Sequence, residues 1–156
     1  MTNAERLRIP PVAMPEQEPA ERIHNVREVP LGFTREMAMT EAQRCLHCVN
    51  QPCVEGCPVG VRIPEFIKAV EAGDEVTGIA IIKETNLLPA VCGRVCPQEE
   101  QCQENCTVGR SHRDVSQAVQ IGKLERYLAD WEREHHAAVV PKLPPATGKR
   151  VAVIGS

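Results

Sequence analysis

The chain of 156 residues has the size of one domain, and its 18 basic and 21 acidic side chains give a formal charge of −3. That balance excludes the strong positive field that holds nucleic acid, and no apolar run approaches the roughly 20 residues of a membrane span. Eight residues are cysteine. Because no apolar signal-peptide core is visible, we expect a cytoplasmic protein whose clustered cysteines bind metal rather than form disulfides.

The N-terminal segment, residues 1–33, is rich in proline and charge. Between Arg8 and Pro30 it shows neither helical nor strand periodicity, so we interpret the segment as an extended arm. The same composition is also typical of disorder, which stays an alternative for this segment.

Helical signals follow the arm, each with a capping residue or a proline at its start. No strand of ordinary length is visible before residue 150. The sequence therefore predicts an all-α domain over residues 34–140, with long loops where the cysteines lie. The predicted helices run from Thr34 to about Leu46, from Pro64 to Gly73, from Asp74 to about Asn86, and from Asp114 to about His136.

The C-terminal residues differ in character from this helical part. Residues 141–149 are typical of a linker, and residues 150–156 form a β-branched apolar run that reaches Gly155. Such a run is typical of the first strand of a dinucleotide-binding domain, with its glycine at the start of the phosphate-binding turn. A lone short strand has no sheet to join, so we expect a fragment that stops at the start of a nucleotide-binding domain.

The eight cysteines form two groups of four, separated by 34 residues, with the spacings C-x2-C-x4-C-x3-C-P and C-x3-C-P-x4-C-x3-C. In the bacterial two-cluster ferredoxin run, the cysteine before the proline ligates the other cluster. The same crossing predicts two [4Fe–4S] clusters here. The first cluster is assigned to Cys45, Cys48, Cys53 and Cys106, and the second to Cys57, Cys96, Cys102 and, as the default fourth ligand, Cys92.

Two structural zinc sites would use the same thiols, although zinc ligands usually come as two C-x2-C pairs and only Cys45 and Cys48 have that spacing. A zinc-stabilised module that docks a partner subunit is therefore the rival interpretation. Arg94 is expected beside a cluster, whose negative charge it would balance. The apolar shell of the clusters is predicted to include Ile63, Phe66, Leu87, Leu88 and Val91.

Several stretches of the chain match a known family. They include Met14-Pro-Glu, Glu41-Ala-Gln-Arg-Cys45-Leu, Asn86-Leu-Leu-Pro89 and Val91-Cys-Gly-Arg-Val-Cys96-Pro-Gln. Together they resemble the small subunit of NADPH-dependent glutamate synthase from about residue 8 to residue 156. The same cysteine module occurs in dihydropyrimidine dehydrogenase and in flavin-based NADH-dependent ferredoxin:NADP oxidoreductases.

The resemblance implies an α-helical ferredoxin fold with two [4Fe–4S] clusters, followed by domains for FAD and NADPH. It implies a relay of single electrons from FAD, reduced by NADPH, to a second flavin on the large amidotransferase subunit. That partner makes glutamate from glutamine and 2-oxoglutarate. The fragment alone would have no turnover, and the same relay in another flavin oxidoreductase stays an alternative.

The resemblance also bears on the fourth ligand of the second cluster. In dihydropyrimidine dehydrogenase a glutamine from the long helix replaces a cysteine, and the matching residue here is Glu125. A carboxylate can ligate iron, so Glu125 is the rival of Cys92. The alternative is that Glu125 is a solvated helix residue with an ion-pair partner.

Overall fold

A computed structural model describes residues 1–135, 137–139 and 144–155. In this part of the chain all regular structure is helical, which confirms the all-α class, and no helix there is long and apolar enough to cross a bilayer. Two 3-10 helices, Gln98–Glu100 and Val115–Gln117, lie among the α-helices. The α-helices are α1 Asn3–Arg6, α2 Pro19–Arg22, α3 Arg35–Ala42, α4 Pro52–Glu55, α5 Ile63–Glu71, α6 Glu75–Lys83, α7 Pro89–Val95, α8 Thr107–His112 and α9 Ile121–Glu134.

The core lies between α5, α6 and α9, and α9 also contacts α3 and α7. Phe66 of α5 and Leu124 and Leu128 of α9 are fully buried. Burying each such side chain stabilises the fold by about 1.5–3 kcal/mol. Because α5 and α9 form this core, they give the cysteine loops between the helices a fixed support.

The predicted helix starts at Thr34 and Asp74 are confirmed. Thr34 Oγ1 accepts the backbone N–H of Met37 at 3.3 Å, and Asp74 Oδ1 accepts that of Thr77 at 3.0 Å. The predicted end of the first helix at Leu46 is wrong, because α3 ends at Ala42. After Ala42 the chain turns inward, which carries the Arg44 side chain into the core.

The predicted start of the longest helix at Asp114 is also wrong. Asp114 does cap a helix, accepting the backbone N–H of Ser116 at 2.9 Å, but that helix is the short 3-10 turn Val115–Gln117. The α-helix starts only at Ile121 and ends at Glu134, and His136 lies outside the described residues.

The arm, residues 1–33, contains the one-turn helices α1 and α2 within otherwise extended chain. An isolated antiparallel bridge joins Glu16 to Pro30, and the buried Gln17 side chain donates to the carbonyl oxygens of Arg27 and Glu28. These bonds close the segment into a loop that lies on the helical domain.

Residues 144–155 contain neither helix nor strand, and residues 140–143 and Ser156 lie outside the described residues. The predicted linker over 141–149 and the predicted strand over 150–156 therefore stay predictions. The same holds for the domain boundary at residue 140.

A buried ion pair joins the arm, α3 and the chain before α9. Glu41 and Arg44 are 0 % and 1 % exposed, and Glu41 Oε1 lies 2.5 Å from an Arg44 guanidinium nitrogen. Arg44 donates to the carbonyl oxygens of Gln117 and Ala118, and to that of Ile9 in the arm. The main-chain groups between α8 and α9 thus bond to this pair, which explains why α9 starts late.

The pair sets the first prediction. Arg44→Met keeps most of the side-chain volume but leaves the Glu41 carboxylate buried without its cation, which costs about 3–5 kcal/mol. We expect the melting temperature of the anaerobically purified chain, followed by circular dichroism, to fall by about 6–20 °C.

The matched control for this prediction is Arg62→Met. Arg62 pairs with Glu84 at the surface, where the two side chains are 45 % and 53 % exposed, and such a pair stabilises by at most about 1 kcal/mol. Equal melting temperatures for the two variants would contradict the structural role of the buried pair.

Candidate functional site

Four thiols from three separate stretches of chain line one cavity. They are those of Cys45, Cys48, Cys53 and Cys106. Cys45 and Cys48 belong to the loop after α3, Cys53 lies in α4, and Cys106 is the residue before α8. The remaining wall is almost entirely apolar, with Ile63, Ile67, Val108, Val119 and Ile121 among its residues. We call it the first cavity.

The loop that carries Cys45 and Cys48 is held from outside by the arm. Arg6 donates to the carbonyl oxygen of Cys45 at 3.1 Å and forms a two-pronged pair with Glu71. Glu71 in turn lies 3.0 Å from Nε2 of His47, which adopts the left-handed φ of +48°. This bend lets the loop place the thiols on both sides of His47 against the same cavity.

The other four thiols line a second cavity of about 110 Å³. They are those of Cys57, Cys92, Cys96 and Cys102. Cys92 belongs to α7 and Cys96 is the residue directly after it, whereas Cys102 follows the 3-10 helix Gln98–Glu100. Four polar side chains also line this second cavity, those of Asn86, Gln98, Gln101 and Glu125.

The two cysteine segments cross at Gly56. A Cβ atom at Gly56 would lie 2.6 Å from the backbone oxygen of Gln101 and 2.5 Å from the side chain of Asn105. Only a glycine allows this approach. The crossing brings Cys57 of the first segment to the second cavity and Cys106 of the second segment to the first cavity.

Ile63 and Ile121 line both cavities. Ile63 is the first residue of α5, Ile121 is the first residue of α9, and both are buried. The two thiol groups are therefore neighbours separated by an apolar wall.

All eight cysteines are free thiols. Burial raises the pKa of Cys45, Cys53 and Cys102 to about 12 and that of Cys96 to about 11, although the backbone N–H of His47 lowers the pKa of Cys45 in part. Such thiols ionise when a positive centre binds beside them. A set of four soft sulfur ligands fits an iron–sulfur cluster.

The thiols line cavity walls instead of meeting at one point. Among residues 1–135, 137–139 and 144–155, no three His, Cys, Asp or Glu side chains form a group suited to a single metal ion. The four thiols of the first cavity surround a space with apolar walls, and those of the second cavity surround a larger space.

Glu125 projects from α9 into the second cavity. Burial raises the pKa of its carboxyl to about 7, and a hydrogen bond from Asn86 Nδ2 to Oε1, 2.7 Å long, opposes that shift. Within the described part of the chain Glu125 has no ion pair, so the alternative of a solvated residue with a charged partner is wrong. The structure thus brings Glu125 to the same cavity as Cys92.

Two sequence-based expectations about this site need correction. Arg94 was expected beside a cluster, but its guanidinium pairs with Glu28 at 2.5 Å and Asp130 at 2.9 Å, which attaches the arm to α7 and α9. Of the predicted apolar shell, Ile63 and Phe66 line the second cavity. The other three side chains are exposed: Leu87 and Leu88 lie in the turn before α7, and Val91 lies within α7.

Among the polar residues at the cavities that sequence reasoning missed, two lie against cysteine sulfurs. Thr107 Oγ1 lies 3.2 Å from the Cys48 sulfur, and Asn86 bonds to Glu125 while lying 3.7 Å from the Cys92 sulfur. Thr107 directly follows Cys106, which is a usable signal. The sequence marks Asn86 as a helix end and as part of a stretch shared with the family, but gives no sign of a role at the site, because its partner Glu125 is 39 residues away.

Comparison with known proteins agrees with this arrangement. The family model described as dihydropyrimidine dehydrogenase domain II, 4Fe-4S cluster, matches residues 22–137. The helical fold with two four-thiol cavities is thus that of an iron–sulfur electron-transfer domain. The chain belongs to this family of [4Fe–4S] domains, which oxidoreductases carry.

Individual relatives are oxidoreductase subunits. The chain is 39 % identical over 124 residues to the glutamate synthase [NADPH] small chain of Escherichia coli, covering 80 % of this chain and 25 % of the relative. It is 35 % identical over 147 residues to the same small chain of Azospirillum brasilense, covering 92 % and 29 %. It is also 35 % identical over 129 residues to the NAD-dependent dihydropyrimidine dehydrogenase subunit PreT of E. coli, covering 83 % of this chain and 30 % of the relative. The chain therefore spans less than a third of each relative.

The crossing of the cysteine segments yields the second prediction. Gly56→Ala forces the Gln101 backbone away from the first segment, and such overpacking costs about 1–3 kcal/mol. We expect a lower melting temperature and faster release of iron to a chelator from both cavities, since Cys57 and Cys106 lie on opposite sides of the crossing.

Glu55→Ala is the control for Gly56→Ala, because Glu55 is the neighbouring residue, is exposed, and adds no atom at the crossing. An exposed change of this kind alters stability by about 0.5 kcal/mol or less. If Gly56→Ala melts and releases iron as Glu55→Ala does, the crossing does not need a glycine.

Proposed function

We propose that this chain relays single electrons through two [4Fe–4S] clusters, one in each cavity. The observation that carries the proposal is the division of eight free thiols into two groups of four, on either side of the wall formed by Ile63 and Ile121. Two neighbouring redox centres inside one small domain are suited to passing electrons in series.

The ligands of the first cluster are Cys45, Cys48, Cys53 and Cys106. For the second we assign Cys57, Cys96 and Cys102, with the fourth position filled by Cys92 or by Glu125. Both Cys92 and Glu125 line the second cavity, so both stay candidates for this ligand position.

An iron–sulfur cluster, when bound, accepts and returns one electron at a time. The residues of the chain set the conditions for that exchange. The apolar walls exclude water, which governs the reduction potential together with hydrogen bonds to sulfur. The N–H of His47 directed at Cys45 and the hydroxyl of Thr107 beside Cys48 are two groups of this kind at the first cavity.

The electrons would come from FAD, reduced by NADPH, and would pass to a flavin on a partner subunit. By similarity to the glutamate synthase small chains, the partner is the large subunit, and the overall product is glutamate from glutamine and 2-oxoglutarate. The same relay in another oxidoreductase is the second candidate, favoured by the similarity to PreT. We place this function in the cytoplasm, where thiols stay reduced.

We further propose that the arm, residues 1–33, and the cluster domain, residues 34–140, precede a linker over residues 141–149 and a FAD- and NADPH-binding domain that starts at residues 150–156. Gly155 has a φ of +86°, the conformation that the first glycine of a dinucleotide-binding turn supplies readily. Because the flavin and nicotinamide sites lie in that downstream domain, the present chain alone has no turnover.

Iron analysis is the direct test of this proposal. The chain purified without oxygen should be brown and contain about eight irons and eight sulfides, four for each cubane. Cys53→Ser and Cys96→Ser should each reduce the iron by about half, the first at the first cavity and the second at the second cavity.

These two serine variants act as controls for one another, because each leaves the other cavity intact. A colourless preparation with stoichiometric zinc would refute the relay. Loss of all iron in both variants would show that the two cavities do not bind clusters separately.

The fourth ligand of the second cluster can be identified by comparing Cys92→Ser with Glu125→Ala. The variant that removes the ligand should lose about four irons, and the other should keep about eight. The iron content of each variant is measured by iron analysis, and its clusters are followed by electron paramagnetic resonance of the reduced protein. Full iron and unchanged spectra in both variants would exclude both residues as ligands.

A further inference from the structure

Asn86 is a buried amide at the second cavity. It lies in the turn between α6 and α7, it is 6 % exposed, and it lines the cavity together with Cys92 and Glu125. A buried amide needs partners for both its oxygen and its nitrogen. In Asn86 these two ends face different groups of the cavity.

The direction of the amide is fixed by the backbone. Asn86 Oδ1 accepts the N–H of Leu88 at 2.9 Å, as in other turns where an asparagine bonds to the residue two positions ahead. Since a backbone N–H can only donate, the oxygen must point to Leu88. The NH2 group is therefore turned to Glu125 and donates to its Oε1 at 2.7 Å.

Glu125 depends on this one bond. Within the described part of the chain, Asn86 is the hydrogen-bond partner of the Glu125 carboxylate, and no cation pairs with it. A side chain on the face of α9 with a single fixed donor has its orientation set by that donor. The same amide presents its oxygen, and not a donor, to the Cys92 sulfur at 3.7 Å.

We propose that Asn86 is a positioning residue that holds the Glu125 carboxylate at the second cluster and thereby sets the stability and reduction potential of that cluster. This inference rests on the proposed function, and it holds whether Glu125 ligates iron or lies next to the ligands. Groups that orient the residues around a metal affect its affinity about 10- to 100-fold.

Asn86→Asp tests the proposal with almost no change in shape. The aspartate keeps an oxygen for the Leu88 N–H but replaces the NH2 group by an oxygen that repels Glu125. In the anaerobically reconstituted chain, we expect about four irons to pass to a chelator about 10- to 100-fold faster, with the other four unchanged. Iodoacetamide labelling should then find Cys57, Cys96 and Cys102 exposed, with the first-cavity thiols still protected. A redox titration should show a shifted midpoint for the second cluster alone.

Asn25→Asp is the matched control. Asn25 makes the same kind of turn, since its Oδ1 accepts the N–H of Arg27 at 2.9 Å while its NH2 group donates to Gln17 at 2.9 Å. It lies in the arm and lines neither cavity. Release of iron and the midpoints of both clusters should match those of the wild type in this variant.

Repeating the Asn86 substitution in a Glu125→Gln variant shows whether Asn86 acts by positioning Glu125 or only by forming the turn with Leu88. In Glu125→Gln, the new amide can donate to an aspartate at position 86. Adding Asn86→Asp to that background should therefore cause no further loss of iron, or should slow it. Equal damage from Asn86→Asp in both backgrounds would mean that Asn86 acts through Leu88, and the proposal would be overturned.

Two other results would overturn the positioning role of Asn86, and they differ in whether the proposed electron relay also fails. If the wild type holds about eight irons and Asn86→Asp releases them at the same rate, the positioning role fails and the electron relay stands. If the wild type holds no iron, the proposed function fails as well. Should Asn86→Asp not fold, Asn86→Ser retains an acceptor for the Leu88 N–H without adding charge and removes the NH2 group. This variant should release about four irons faster than the wild type, and release at the wild-type rate would overturn the proposal.

Discussion

The buried pair of Glu41 and Arg44 is the contact on which the arrangement of the domain depends. The Glu41 carboxylate accepts the backbone N–H of Val12, in the arm, and that of Gln120, directly before α9. Arg44 is the residue before Cys45, and Gln120 is the residue before Ile121. A single pair therefore fixes the start of the first cysteine loop and the start of the helix that carries Glu125. Each charge is satisfied by main-chain groups, which offsets the large cost of burying two ions.

From that contact follows the relation between the two cavities. Ile121, placed by Gln120, forms a shared wall with Ile63, and the crossing at Gly56 gives each cysteine segment one thiol in the other segment's cavity. The two thiol groups cannot be separated without moving the same short stretches of backbone. Metal binding and folding are coupled in such sites, so a cluster in one cavity would stabilise the chain that forms the other.

Much of this could be predicted from the sequence, because the deciding signals are local. Cysteine spacing predicted two ligand sets, and the same two sets of thiols line the two cavities, although their binding of iron stays a prediction. The capping signals of Thr34 and Asp74 were sufficient for two helices. The start of α9 was predicted wrongly because Arg44 donates a hydrogen bond to the carbonyl oxygen of Gln117. The two residues are 73 positions apart, so no local pattern shows this bond. Arg94 was misassigned for the same reason, since its partner Glu28 lies 66 residues away.

The partners of the buried and half-buried carboxylates separate structural groups from the candidate functional one. In the described chain, Glu41, Glu71, Glu75, Asp130 and Glu132 each lie against an arginine or lysine. Their charge is neutralised inside the protein. Glu65 and Glu125 have only an amide partner, and of these two Glu125 alone lines a cysteine cavity. A carboxylate that pairs with no arginine or lysine, held by a fixed amide beside four thiols, is suited to bind iron directly and not to balance the charge of a negative cluster.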